Sequence, residues 1–175
     1  MATLVLGLGN PILTDDAVGI RAAEAVQAVL AQRADACPLA EVATASVGGL
    51  ALMEAMIGYE RVVLIDAFCC REPSPGRIHR LTLEDLEANR ATVHSASSHD
   101  TRFETALALG RHMGFSLPNE IIIYAIEVTN VVDFSEQITP AVARAIPQTI
   151  HAIMSELLPS NLVRMSTEEA HYGFA

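Results

Sequence analysis

Three stretches of the 175-residue chain, TLVLGL at 3–8, RVVLIDAF at 61–68 and EIIIYAIEV at 120–128, are nearly unbroken apolar runs. A strand with one wet face alternates apolar and polar residues, so runs of this kind belong in a sheet covered on both sides. The segments between them supply the cover. Val18, Ala22, Val26 and Val29 recur at spacings of four, four and three beside Arg21 and Glu24, which is a helix face. Leu50, Met53, Met56 and Ile57 predict a short helix, and Phe103, Ala106, Leu107 and Gly110 a longer one ending near Gly114. Thr139 and Pro140 read as an N-cap and first helical residue, opening a helix to about Leu158 that Pro147 should kink. Residues 41–47 read as a second strand, and IHRL, after the turn REPSPGR, as a short edge strand. Thr82 and Asp85 resemble a capping box.

Strands alternating with helices predict an open α/β architecture. The expected fold is a single-domain three-layer αβα sandwich over residues 1–158, with a twisted, mostly parallel sheet of about five strands. ATVHSASS at 91–98 has no period and reads as a loop, and 159–175 as a loose tail.

Composition narrows the function. Hydrophobic residues make up 51% of the chain and charged ones 18%, which excludes a disordered protein. No apolar run approaches the ~18 residues of a membrane span. The first residues read as a strand and not as a secretory leader, so cytoplasmic residence is expected. Cys37, Cys69 and Cys70 are odd in number and two are adjacent, which gives neither a disulfide framework nor a C-x-x-C pair; reduced core thiols are expected. A net charge of -10, from 21 acids and 11 bases, opposes binding to nucleic acid.

The turn after the first strand, GLGNPILTDDAVG at 7–19, opens like a dinucleotide-binding loop but does not continue as one. Gly7 and Gly9 fit G-x-G-x-x-G, yet position 12 is Ile, Pro11 lacks a backbone donor, and ATASV offers no acid for a ribose. Asp15 and Asp16 would compete with phosphate for the helix N-terminus. Capping explains one aspartate, and Asp15 is assigned that role, its side chain turned to the helix amides. It explains a second only loosely. Asp66 ends the RVVLI run, where its carboxylate faces the same rim of the sheet, and His99 sits in the loop ahead of a later helix. Singly, a strand-end acid and a loop histidine are commonly surface residues. Together on the rim where α/β sheets bind ligands, Asp16, Asp66 and His99 make an oxygen and nitrogen donor set suited to a divalent transition metal.

The segments LVLGLGNPILTDDAVGIRAAEAV, RVVLIDAF and SSHDTRFETALALGRHMGF, followed by IIIYAIEV and ITPAVARAI, resemble the nickel-iron hydrogenase maturation peptidases. The similarity runs in order from Leu4 to about Leu158. It implies a twisted, mostly parallel sheet between helices. It also implies an endopeptidase that removes a C-terminal extension from the hydrogenase large subunit. Metal binding through Asp16, Asp66 and His99, both as ligands and as the catalytic group, is implied as well. The nickel would come from the substrate, already held by the large subunit's own cysteines, so that only a loaded precursor completes the ligand set. The chain departs from many relatives at Thr44-Ala45-Ser46, where an Asp-Gly-Gly is common, and at NVVDFSEQ, where a glycine is. Both loops are expected to flank the substrate cleft. Cys69 and Cys70 lie in no Cys/His setting that supports a nucleophile.

Two other readings compete. GLGNP also opens peptidyl-tRNA hydrolases, but the Tyr and His-Asn pair expected soon afterwards is missing. A non-enzymatic α/β module for a ligand or partner would make Asp15 and Asp16 caps and His99 incidental.

Overall fold

A computed structural model describes residues 2–32, 40–88 and 100–158. The predicted strands at 3–8 and 61–68 form over those residues, as β1 (Thr3–Leu8) and β3 (Arg61–Phe68). Between them lie a 3-10 turn (Thr14–Ala17), helix α1 (Val18–Ala31), strand β2 (Glu41–Ala45) and helix α2 (Gly49–Glu54). Strand β4 (Ile78–Thr82), helices α3 (Leu83–Ala88) and α4 (Asp100–His112), strand β5 (Glu120–Glu127), and helices α5 (Pro140–Ala143) and α6 (Ala145–Leu157) complete the order.

The strands form one five-stranded sheet in the order β2-β1-β3-β5-β4. All pairings are parallel except β4 against β5, the short edge strand expected from IHRL. Alternate residues of the same strands enter two separate cores, which explains the lack of a polar face. Val5, Val63, Ile65, Ile122 and Ile126 pack with α1 and α6. Leu6, Leu64, Ile121 and Ile123 pack with α2 and α4 on the other side. Each such side chain contributes roughly 1.5–3 kcal/mol when fully buried. The α/β sandwich with a mostly parallel sheet is therefore the observed architecture.

The strand order creates a crevice. From β1 the chain crosses through α1 to β2 at one edge, whereas from β3 it continues toward β4 and β5 at the other. Connections leaving two adjacent strands in opposite directions leave a gap at their carboxyl ends. The turn carrying Asp16 follows β1 and Asp66 lies near the end of β3, so the two acids flank that gap.

Two glycines bring the turn onto the sheet. A Cβ at Gly19 would lie 2.3 Å from the carbonyl oxygens of both Leu8 and Ile65, so the start of α1 packs backbone to backbone on β1 and β3. Gly9, at φ 138°, takes a backbone that side chains rarely adopt, and a Cβ there would sit 1.8 Å from the Asp16 carbonyl oxygen. The glycines of the opening motif thus serve close packing and leave no bare loop for a phosphate.

The capping box forms reciprocally: Thr82 N–H donates to Asp85 Oδ2 at 2.8 Å and Asp85 N–H to Thr82 Oγ1 at 3.3 Å. The last helix differs from expectation, because it breaks at Arg144, three residues before Pro147. Proline lacks the N–H that would bond to the carbonyl four residues back, and its ring crowds that carbonyl. The disturbance therefore falls at residues 143–144, and Pro147 itself sits in the tolerant first turn of α6. The second strand ends at Ala45, short of Val47, which is exposed. The 91–98 loop, the 159–175 tail and Cys37 lie outside the described residues. Among the described residues no helix is long and apolar enough to cross a membrane.

Gly19→Ala should destabilise the protein by about 1–3 kcal/mol, the usual cost of overpacking. A lowered urea midpoint at unchanged m-value checks it, and an unchanged midpoint would contradict the backbone contact.

Candidate active site

Asp16 and Asp66 line one cleft of about 240 Å³, with Leu8, Gly9, Asn10, Leu13, Ser46 and Val47 around them. Asp16 is presented by the 3-10 turn, and its Oδ2 accepts the Asn10 N–H at 2.7 Å. Asp66 Oδ1 accepts the N–H of Ala67 at 2.9 Å. Each carboxylate is thus oriented by a backbone amide. Asp66 also borders a second, mostly apolar cavity with Phe68, Ala125 and Phe103. Phe103 follows His99 by four positions, and His99 itself lies outside the described residues. The structure thus brings together two of the three predicted site residues.

The cap assigned to Asp15 is not observed. Neither the 3-10 turn nor α1 has a side-chain cap. Asp15 is fully buried, and its Oδ1 accepts the backbone N–H of Thr139, at the start of α5, at 2.8 Å. Its Oδ2 has no hydrogen-bond partner among the described residues. The reason lies one residue earlier. Thr14 is at φ 40°, the left-handed region, held there by its N–H donating to Ser135 O and its Oγ1 to Asp133 O. That backbone turns Asp15 toward the 130–139 loop, away from the amides of its own helix. Burial of a carboxylate with so little hydrogen bonding is costly, and the surrounding loop must supply compensation.

Cys69 and Cys70 are free and partly buried, and Cys69 packs against the core that includes Val63 and Ile126, in keeping with the reduced core thiol expected there. Burial and then the charge of Asp16, with smaller effects of Cys70 and Asp15, push the Cys69 thiol up. Cys70 is raised by burial and by Glu127. Both effects oppose a thiolate, the form a nucleophile needs.

One polar cluster at the same rim was not legible beforehand. Glu127, at the end of β5, is only 4% exposed. It accepts from the Ser74 N–H, pairs with His79 Nε2 at 2.6 Å, and receives the Cys70 Sγ at 3.7 Å. Burial pushes its carboxyl up, but the Ser74 amide, the His79 hydrogen bond and the charges of His79 and Arg77 outweigh this and hold it below the usual carboxylate range. Ala125 is the cross-strand partner of both Asp66 and His79, so the two lie in one row across β3, β5 and β4. An acid closing the apolar run IIIYAIE was the available signal. Among the described residues, no group of three or more His, Cys, Asp or Glu is arranged to hold a metal ion.

Comparison with known proteins settles the class. The family model described as HycI, hydrogenase maturation protease, matches residues 20–156. The chain belongs to the hydrogenase maturation protease family. The match takes in Asp66 and His99 and begins four residues after Asp16. The Hydrogenase 2 maturation protease of Escherichia coli (strain K12) is 25% identical over 171 residues, covering 98% of this chain and 99% of that protein. The structure of the hydrogenase maturating endopeptidase HybD from E. coli superposes with a TM-score of 0.72 at 25% identity, over 90% of this chain and 92% of that one. The [NiFe] hydrogenase maturation protease HybD from Thermococcus kodakarensis shares the fold, with a TM-score of 0.67 at 21% identity, over 90% of this chain and 100% of that one. This maturation protease is a hydrolase of peptide bonds, and the comparisons favour neither the tRNA-hydrolase nor the binding-module reading.

The depressed carboxyl of Glu127 makes it a source of acid sensitivity. A group whose folded value is lowered stabilises the fold above its unfolded value, near 4.5, and loses that contribution as pH falls through the folded value. Wild-type protein should therefore lose stability below about pH 4.5 more steeply than Glu127→Gln. Parallel urea titrations from pH 7 to pH 3 read the difference, and superimposable curves would contradict the network.

Proposed function

We propose that this maturation protease removes the C-terminal extension of a nickel-iron hydrogenase large-subunit precursor, in the cytoplasm and after nickel insertion. In this reading the precursor's nickel is recognised by Asp16, Asp66 and His99. The observation that carries it is the shared cleft: two carboxylates, one from the turn after β1 and one near the end of adjacent β3, line one space.

The donor chemistry fits. Two carboxylates and an imidazole leave coordination positions unfilled, and thiolates already on the precursor's metal occupy them. A metal so held polarises a scissile carbonyl or activates a water. The protein's own part is orientation. Asn10 and Ala67 amides orient the carboxylates, and either acid would serve as general base toward an attacking water. The raised thiols of Cys69 and Cys70 disfavour cysteine as the nucleophile.

Loading is then read before sequence. A binder distinguishes two forms only by the free energy that differs between them, and coordinate bonds made to the loaded precursor alone supply that difference.

The test incubates the protein with its precursor, with and without nickel, and follows removal of the C-terminal segment. Only the loaded form should be cut; equal cleavage of both would refute the loading check. Asp16→Asn, Asp66→Asn and His99→Ala should each reduce cleavage by at least about a hundredfold. For Asp66→Asn, stability should stay within about 0.5 kcal/mol of wild type. Normal processing by Asp66→Asn would remove the carboxylate from the reaction. Cys69→Ser and Cys70→Ser should process normally, and loss of activity with the fold intact would restore a thiol mechanism.

A further inference from the structure

Beside the cleft, a set of large apolar side chains faces solvent on a rigid mount. Phe134 is 82% exposed, Val132 75% and Ile12 46%. A single parallel bridge pairs Leu13 with Ser135, and that register sets Ile12 beside Phe134. The loops carrying them are bound together: Ser135 N–H donates to Ile12 O, Thr14 N–H to Ser135 O, and Asp15 N–H to Asn130 O. Asn130 also organises the loop internally, its Oδ1 accepting the Asp133 N–H at 3.2 Å and its Nδ2 donating to Asp133 Oδ2 at 2.9 Å. Scattered surface apolar residues need no explanation, but Ile12 and Phe134, set side by side on loops held by this many hydrogen bonds with exposed Val132 on the same loop, offer a preformed contact surface.

Its position indicates what covers it. Leu13, next to Ile12, lines the cleft with Asp16 and with Val47, which is 40% exposed. A polypeptide bound in that cleft against Leu13 would lie next to Ile12. The exposed acids Asp133 and Glu136 stand on the same loop, in a chain of net charge -10. A second copy would bring those acids against its own, and an anionic membrane would be repelled in the same way.

We infer that Ile12, Val132 and Phe134 form a docking surface for the folded body of the precursor, at an apolar patch flanked by basic side chains. This rests on the peptidase reading and adds to it a contact remote from the metal. The surface contributes affinity for the whole precursor, while the acids of the cleft read nickel.

The experiment measures cleavage of the nickel-loaded precursor by wild type, by the double variant Val132→Ser/Phe134→Ser and by Phe134→Leu. An exposed aromatic anchor at an interface centre is worth more than about 1.4 kcal/mol, a factor of ten. The double variant should therefore raise KM about tenfold or more with kcat within about twofold, and Phe134→Leu should stay closer to wild type. Unchanged KM overturns the inference, as does a fall in kcat alone, which would make the loop a support of the site. A wild type that sediments as a dimer and a double variant that sediments as a monomer would assign the patch to a second copy instead. If wild type fails to cut the loaded precursor, the peptidase reading fails and the inference falls with it; if wild type cuts and KM does not move, only the inference fails.

Discussion

The contact between Gly19 and the carbonyls of Leu8 and Ile65 is the constraint on which the site depends. Helices normally stand off a sheet by the length of their side chains. Here the first turn of α1 meets β1 and β3 without that spacing, so the turn before it is drawn down over the mouth of the crevice. Asp16 can then share a cleft with Asp66. Without the close approach, the sheet would still bury its two cores, but the acids would not converge.

A second constraint works sideways. The 130–139 loop holds the 12–15 segment through backbone bonds, through Thr14 and through buried Asp15. The left-handed Thr14 has an energetic cost, and strain of this kind persists only where its surroundings over-determine it. The same bonds fix the exposed Ile12 and Phe134, so the turn that presents Asp16 and the proposed docking surface are held by one loop.

Much of this was legible in the sequence because local pattern and tertiary role agree. Runs such as RVVLIDAF have one stable use, a strand covered on both sides, and the structure forms β3 over those same residues. The carboxyl-end rule then placed Asp16 and Asp66 on a common rim before any coordinates. Asp15 was misread because its partner, Thr139, is 124 positions away. Adjacent aspartates before a helix look alike in sequence, and only the left-handed Thr14 distinguishes them. The Glu127 and His79 pair was hidden for a related reason, since it exists only because β4 returns antiparallel against β5. The early helix break follows a local rule, but that rule acts on the carbonyl four residues before the proline and not at the proline itself.

The paired aspartates divide two tasks that conflict in a single residue. Under the proposed reading, the carboxylate that meets the metal must remain accessible and must not be neutralised by strong internal bonding. A carboxylate that anchors a strained turn must be buried and bonded. Asp15 takes the second part and lies fully inside. Asp16 takes the cleft, restrained by the Asn10 amide. Burial pushes the thiol of nearby Cys69 up, and the charge of Asp16 and, least, that of Asp15 add to the effect. Such surroundings disfavour a thiolate there. In the proposed reading, hydrolysis would depend on a metal cation brought by the substrate, whose positive charge would also offset the concentration of negative charge at the crevice.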